Sequence, residues 1–168
     1  CEPTFFLSYQ EMNFILAEAA ARGLISGNAE TYYNEGIRSS MEFVSKHSTG
    51  WVPADREMTA DYIASYIASP EVKFASTLDA QVEQIIWQKY ITTFLQTPYS
   101  AFFEYRRTNV PNIKIDPGSN KNDPSDKMPL RWMYPTAENS YNKENLTEAV
   151  NRQYNGSDDY MGVMWILK

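Results

Sequence analysis

Between Val82 and Leu95 the apolar residues Val82, Ile85, Ile86, Trp87, Tyr90, Ile91, Phe94 and Leu95 fall on nearly every side of a helix. A helix wetted along one face carries a single apolar stripe, so this pattern predicts a central element packed on more than one side. The stretch continues to Pro111. Thr97-Pro98 reads as an N-cap with proline in the first helical position. A second, shorter helix then places Tyr99, Phe102, Phe103 and Arg106 at helical spacing before Thr108-Asn109 ends it.

The residues before this centre read as further helices. Ser8 is placed to cap a helix, with Glu11 as its capping-box partner and Leu7 able to staple onto Met12. Met12, Ile15, Leu16 and Ala19 follow the helical spacing of a core-facing stripe, and Arg22-Gly23 predicts the stop. After a turn at Ser26-Gly27-Asn28, a second helix runs from about Ala29 to Lys46 with Tyr33, Ile37, Met41 and Val44 on one face. Gly36 and Ser40 share that side, where small residues let another helix come close. The short turn makes the pair an antiparallel hairpin. A loop from His47 to Thr59 holds Trp51, and a short helix over Ala60 to Ala68 follows, closed by Ser69-Pro70.

Beyond Asn109 the pattern changes. Ile113 and Ile115 alternate around Lys114, and Met128, Leu130, Trp132 and Tyr134 alternate after the polar stretch Asp116 to Asp126, so a small two-stranded β-ribbon across a mobile, exposed loop is expected. Lys143 to Tyr154 reads as the last full helix, stopped by Asn155-Gly156, and the apolar tail Val163 to Leu167 calls for burial. The expected fold is therefore mainly α, of antiparallel helical hairpins with one ribbon. At 168 residues it is expected as a single domain over 1–168.

Several chemistries are disfavoured. A net charge of −6, with Arg106-Arg107 as the only arginine pair, argues against a nucleic-acid partner. One histidine, His47, and one cysteine, Cys1, are too few for an ordinary zinc site, and His47 reads as a helix-end residue with no nucleophile motif nearby. No glycine-rich phosphate loop is present, so no cofactor is expected. A calcium loop counted from Asp116 fails at Gly118 and Lys127, where oxygen ligands belong. The apolar stretches are broken by charge too soon for a membrane-spanning helix. Twenty-one acids allow many carboxylate pairs, yet nothing singles one out for catalysis, and no metal ligand is assigned. The tryptophans remain: Trp87 is expected in the core, whereas Trp51 and Trp132 are the residues offered for stacking on sugar rings.

The order of the motifs is more specific than any one of them. Ser8-Tyr9-Gln10-Glu11-Met12 leads to Ala17-Glu18-Ala19-Ala20-Ala21-Arg22-Gly23 and then Tyr33-Asn34-Glu35-Gly36-Ile37-Arg38-Ser39-Ser40. Gln88-Lys89-Tyr90 with Phe94-Leu95, Tyr105-Arg106-Arg107-Thr108-Asn109 with Pro111, and Pro129-Leu130-Arg131 with Tyr134-Pro135-Thr136-Ala137-Glu138 and Asn142 follow, with Trp165 in the tail. This series resembles the C-terminal portion of SusD/RagB-type proteins. The resemblance implies TPR-like helical hairpins in a surface-exposed lipoprotein of the Bacteroidetes outer membrane, one that binds an oligosaccharide of starch type without cleaving it. It implies delivery of that ligand to a SusC-like TonB-dependent transporter, and a lipid anchor outside this chain, with Cys1 an internal cysteine. A peptide-binding uptake protein of the same family, or a protein-docking helical scaffold, is the alternative. The resemblance carries no binding residue onto this sequence.

Overall fold

In the computed structural model, residues 5–48, 50, 52–94, 96–97 and 99–167 are described. The chain divides into two compact units, Cys1–Pro111 and Asn112–Lys168.

In the first unit, α1 spans Tyr9–Ala21 and α2 Ala29–His47. Ser8 opens α1 as expected: its backbone is extended and its hydroxyl accepts the Glu11 N–H at 3.1 Å. The reciprocal half of a capping box is not made by Glu11 among the described hydrogen bonds; its carboxylate lies 3.8 Å from Lys89 Nζ instead. Gly23, at φ 70°, ends the helix, and the Gly23 and Leu24 N–H groups donate to the Ala20 and Ala19 carbonyls in a Schellman-type cap. Asn28 caps α2 by accepting the Thr31 N–H at 3.0 Å.

The α1–α2 hairpin forms as the spacing predicts, with a different face of α1 inward. Gln10, Asn13, Phe14 and Ala17 are buried, whereas Met12 and Ile15, on the opposite side, are exposed. Phe14 takes the central position because α2 offers Gly36 there: a Cβ on Gly36 would lie 2.7 Å from the Phe14 ring. The missing side chain on one helix is what admits the ring from the other. Tyr33, 1% exposed, packs edge-on to Phe14 and tilted against Phe74, with Ile37, Val72 and Ile85 completing the cluster. Its buried hydroxyl donates to the Val72 carbonyl at 2.9 Å, and burial first, Tyr66 second, push the phenol above its usual range, so it remains a neutral donor.

Among the described residues, three further α-helices and a 3-10 turn at Ala54–Arg56 complete this unit. α3, Ala60–Ala68, buries Ile63 and starts with the Thr59 hydroxyl accepting the Tyr62 N–H. α4, Leu78–Thr93, buries Val82, Ile85, Ile86, Lys89 and Thr93. The all-round apolar pattern is only half used: Trp87, Ile91 and Phe94 stay exposed on the other side, so Trp87 is not the core residue expected. Leu95 lies outside the described residues. α5 spans Ser100–Thr108, starting later than the Thr97-Pro98 signal placed it; the buried Thr97 hydroxyl has no hydrogen-bond partner among the described residues, and Pro98 lies outside them. Asn109 ends α5 at φ 58°, in the left-handed region that asparagine tolerates.

In the second unit, α6 covers Thr136–Tyr141 and α7 Lys143–Tyr154, with Asn155 at φ 53° closing α7 as predicted. The expected β-ribbon is absent: the described residues contain no strand. Pro129 has no N–H for a ladder, and the Leu130 and Arg131 N–H groups donate instead to the Tyr160 carbonyl of the tail. Ile113 is left exposed. The alternation from Met128 to Tyr134 thus marks an extended segment pinned to the C-terminal tail, not to Ile113 and Ile115. The polar loop folds on itself through Asp116 and Asn120, whose side-chain oxygens accept the Gly118 and Asn122 N–H groups. Trp165, 78% exposed, does not find the burial its tail suggested.

Candidate functional site

The densest polar constellation of the first unit lies where α1, α4 and α5 meet. Lys89 of α4, 8% exposed, donates to Glu104 of α5 at 2.5 Å. Arg107, one turn further along α5, grips the other Glu104 oxygen at 2.6 Å and holds Glu18 of α1 through two bonds, Nη1 to Oε1 at 2.7 Å and Nη2 to Oε2 at 2.6 Å. Glu18 also accepts from Arg22 at 2.8 Å. Beside these charges a groove of about 410 Å³ has Ile15, Ala19 and Leu24 among its lining.

The hydrogen bonds make this a brace between α1, α4 and α5. Burial alone raises the Glu18 carboxyl, but the Arg107 and Arg22 hydrogen bonds outweigh it and hold the group below the ordinary carboxylate range. Arg107 rises above its usual value, through Glu18 first, against a smaller opposing effect of burial. Held ionised by Arg107 and Arg22, Glu18 ties α1 to α5. Arg106-Arg107, the one basic pair in the sequence, is spent in the fold: Arg107 on carboxylates, Arg106 over the Phe102 ring at 5.3 Å. The partners were partly visible in the sequence, since Glu104 precedes Arg107 by three residues and Glu18 precedes Arg22 by four. The link from Glu18 to Arg107, 89 residues apart, had no such signal.

His47 takes the structural role expected of it, its Nδ1 2.8 Å from the Phe43 carbonyl and its ring against Phe43. Of the two tryptophans offered for sugar stacking, Trp51 lies outside the described residues. Near it in the chain, a cavity of about 130 Å³ is lined by Ser45, Ser48, Arg56 and Glu57 among others. Trp132, 53% exposed, belongs to the second unit and sits on a firmly held backbone. Its neighbour Arg131, 4% exposed, pairs with Asp158 at 2.5 Å and stacks on Tyr154 and Tyr134, at 4.0 and 5.3 Å from the ring centroids. The second Asp158 oxygen accepts the Tyr134 N–H at 3.1 Å. Trp132 is thus a half-exposed indole on a segment whose flanking residues Arg131 and Tyr134 are both held by Asp158. Among the described residues no group of three or more His, Cys, Asp or Glu is placed to hold a metal ion, and no helix is long and apolar enough to cross a membrane.

Residues 1–135 match a SusD-like family model described as starch-binding and associating with the outer membrane. No curated protein matches the chain. Two solved SusD homologues from Bacteroides fragilis are similar to it: one is 40% identical with a TM-score of 0.88, the other 38% identical with 0.86, and each match covers 99% of this chain and 36% of the relative. A solved chitin-binding protein is 30% identical with a TM-score of 0.76, over 94% of this chain and 32% of its own length. The chain thus spans about a third of the length of these solved relatives. With most of its length inside the family model and two solved homologues near 40% identity, the chain belongs to the SusD-like family of nutrient-binding proteins.

Proposed function

We propose that this chain is the C-terminal portion of a cell-surface glycan-binding lipoprotein that captures oligosaccharides at the Bacteroidetes outer membrane and passes them to a SusC-like TonB-dependent transporter. Its part is to bind, not to cleave. The observation that carries this reading is the match of residues 1–135 to a family described as starch-binding and associating with the outer membrane; a relative described as chitin-binding supports a glycan over a peptide. The half-exposed Trp132, on a backbone held by Arg131 and Asp158, supports a stacking role for that residue. Trp51 is proposed as the second platform because the sequence between the end of α2 and the start of α3, in which it falls, reads as a connection. Calorimetric titration of the full-length protein against starch-, chitin- and plant-type oligosaccharides tests the reading. Saturable binding is expected; silence across that panel, with peptides binding instead, would replace it by peptide uptake.

One observation favours a second role beside the first. α1 and α4 each carry an exposed apolar side, Met12 and Ile15 on one, and Trp87 and Ile91, continued by Phe94 just past the helix end, on the other. Such faces suit docking onto the transporter. Charge substitution at Ile91 and Phe94 is expected to abolish co-purification of the transporter while glycan binding persists, and unchanged co-purification would remove this role.

A further inference from the structure

The second unit carries a groove whose lining, among the described residues, does not include Trp132. Asn142 joins α6 directly to α7, and beside it opens a space of about 480 Å³, within the roughly 300–1,000 Å³ of small-molecule sites. Leu146, buried, and Ala149 supply apolar surface to the lining, and Tyr134 stands at one side. Arg131 lies over one face of the Tyr134 ring, 5.3 Å from its centroid, and the Tyr134 hydroxyl accepts from Gln153 at 3.3 Å.

The polar rim is ordered by its own hydrogen bonds. Asn145 Nδ2 donates to Asn142 Oδ1 at 2.6 Å, and Asn142 Nδ2 donates to Glu138 Oε2 at 2.9 Å. These side chains stand in line although Asn142 and Asn145 are exposed. Part of their ordering entropy is therefore spent before any ligand arrives. The relay leaves Glu138 Oε1 and the Asn145 amide oxygen as acceptors, with amide N–H groups beside them as donors. Neighbouring hydroxyls on a sugar ring donate to one such group and accept from the next, while a tyrosine face takes the C–H side of the ring. Charge narrows the class. Glu148 and Arg152 offset each other at 3.7 Å, which leaves Glu138 as the net charge of the groove, so uronate or sulfate groups are repelled.

We infer that the groove between α6 and α7 is a saccharide subsite for one or two rings of a neutral glycan, with Tyr134 as platform and Glu138 and Asn145 as hydroxyl partners. The inference rests on the glycan-binding reading above and locates a site for it. Titration calorimetry of the full-length protein with maltohexaose, chitohexaose and an oligogalacturonate tests it. At least one neutral oligosaccharide is expected to bind, with Asn145→Ala and Glu138→Ala each weakening it about five- to tenfold at an unchanged Tm. Glu138→Gln keeps the bond from Asn142 and removes the charge, so oligogalacturonate affinity is expected to rise several-fold, a change that loss of structure cannot mimic. If the wild type binds a neutral glycan and the two alanine variants keep its affinity within about twofold, the groove is not the site and the glycan reading stands. If the wild type binds no saccharide, both fall.

Discussion

The two units solve the same problem of holding helices in place by opposite means. Cys1–Pro111 closes around an aromatic and aliphatic cluster, in which Phe14 fills the space left by Gly36, and keeps its charged brace of Glu18, Lys89, Glu104 and Arg107 at the side. Among its described residues Asn112–Lys168 has only Leu146 and Val150 as well-buried aliphatics, and a charge stands at its centre: Arg131 against Tyr154 and Tyr134, tied to Asp158. Packing in the first unit is a matter of volume, and the buried Lys89 ammonium is admitted there through its pairing with Glu104 and Glu11. Order in the second is a matter of direction, because a guanidinium offers five fixed donors and two stacking faces where a leucine offers none.

The largest test of this contrast lies in the first unit. Phe14→Ala is expected to cost about 4 kcal/mol, read from the urea midpoint, since the ring is fully buried and its pocket is walled by a helix backbone. A loss near 1 kcal/mol would mean the cluster collapses easily and is not the tight contact that Gly36 permits. Next comes Arg131→Met, expected to cost about 3 kcal/mol because it strands a largely buried Asp158. Adding Asp158→Asn should recover part of that loss, and Arg131→Lys should recover little, since an ammonium cannot fork or stack. Full stability in Arg131→Met would show that the second unit is held by apolar contacts after all.

Gly36→Ala sets two smaller effects against each other. A helix gains about 1 kcal/mol from the exchange, and forcing a methyl to 2.7 Å from the Phe14 ring costs about 1–3 kcal/mol. A net loss of about 1 kcal/mol is expected by thermal melting, and a net gain would contradict the close approach. The smallest effect is a pH dependence. Glu18 has a lowered pKa in the folded chain, so its stabilisation is complete above the ordinary value of 4.5 and is lost as pH falls through the folded value. The effect should stay below about 1 kcal/mol, because Arg107 is nearly half exposed. Comparing wild type with Glu18→Gln by denaturant midpoints at pH 7 and pH 3 should show the gap between them closing at the lower pH.

The same contrast explains what could be read from the sequence. Helix boundaries rest on local chemistry, and Ser8, Gly23, Asn28, Asn109 and Asn155 all act where their residue types predict. The inward face of α1 did not follow from spacing, because both of its sides are apolar and the buried one includes Gln10 and Asn13. Position within α2 decided it, through Gly36. The ribbon failed because alternation over a few residues states only that a segment is extended, not what it pairs with; Arg131 and Asp158, 27 residues apart, settled the pairing. The brace was hidden where it is non-local, in the link from Glu18 to Arg107 across 89 residues, whereas the relay of Glu138, Asn142 and Asn145 runs at spacings of four and three residues that the sequence does display. The ordered motifs did reach the family, because motif order survives where contacts cannot be inferred.

Binding without cleavage is the claim on which the functional account stands, and one assay addresses both halves. The full-length protein is titrated with its best neutral oligosaccharide and then held with it for hours while reducing ends are counted. Saturable heat with no new reducing ends is the predicted result. A steady release of reducing ends, or no heat with any glycan, would contradict the account.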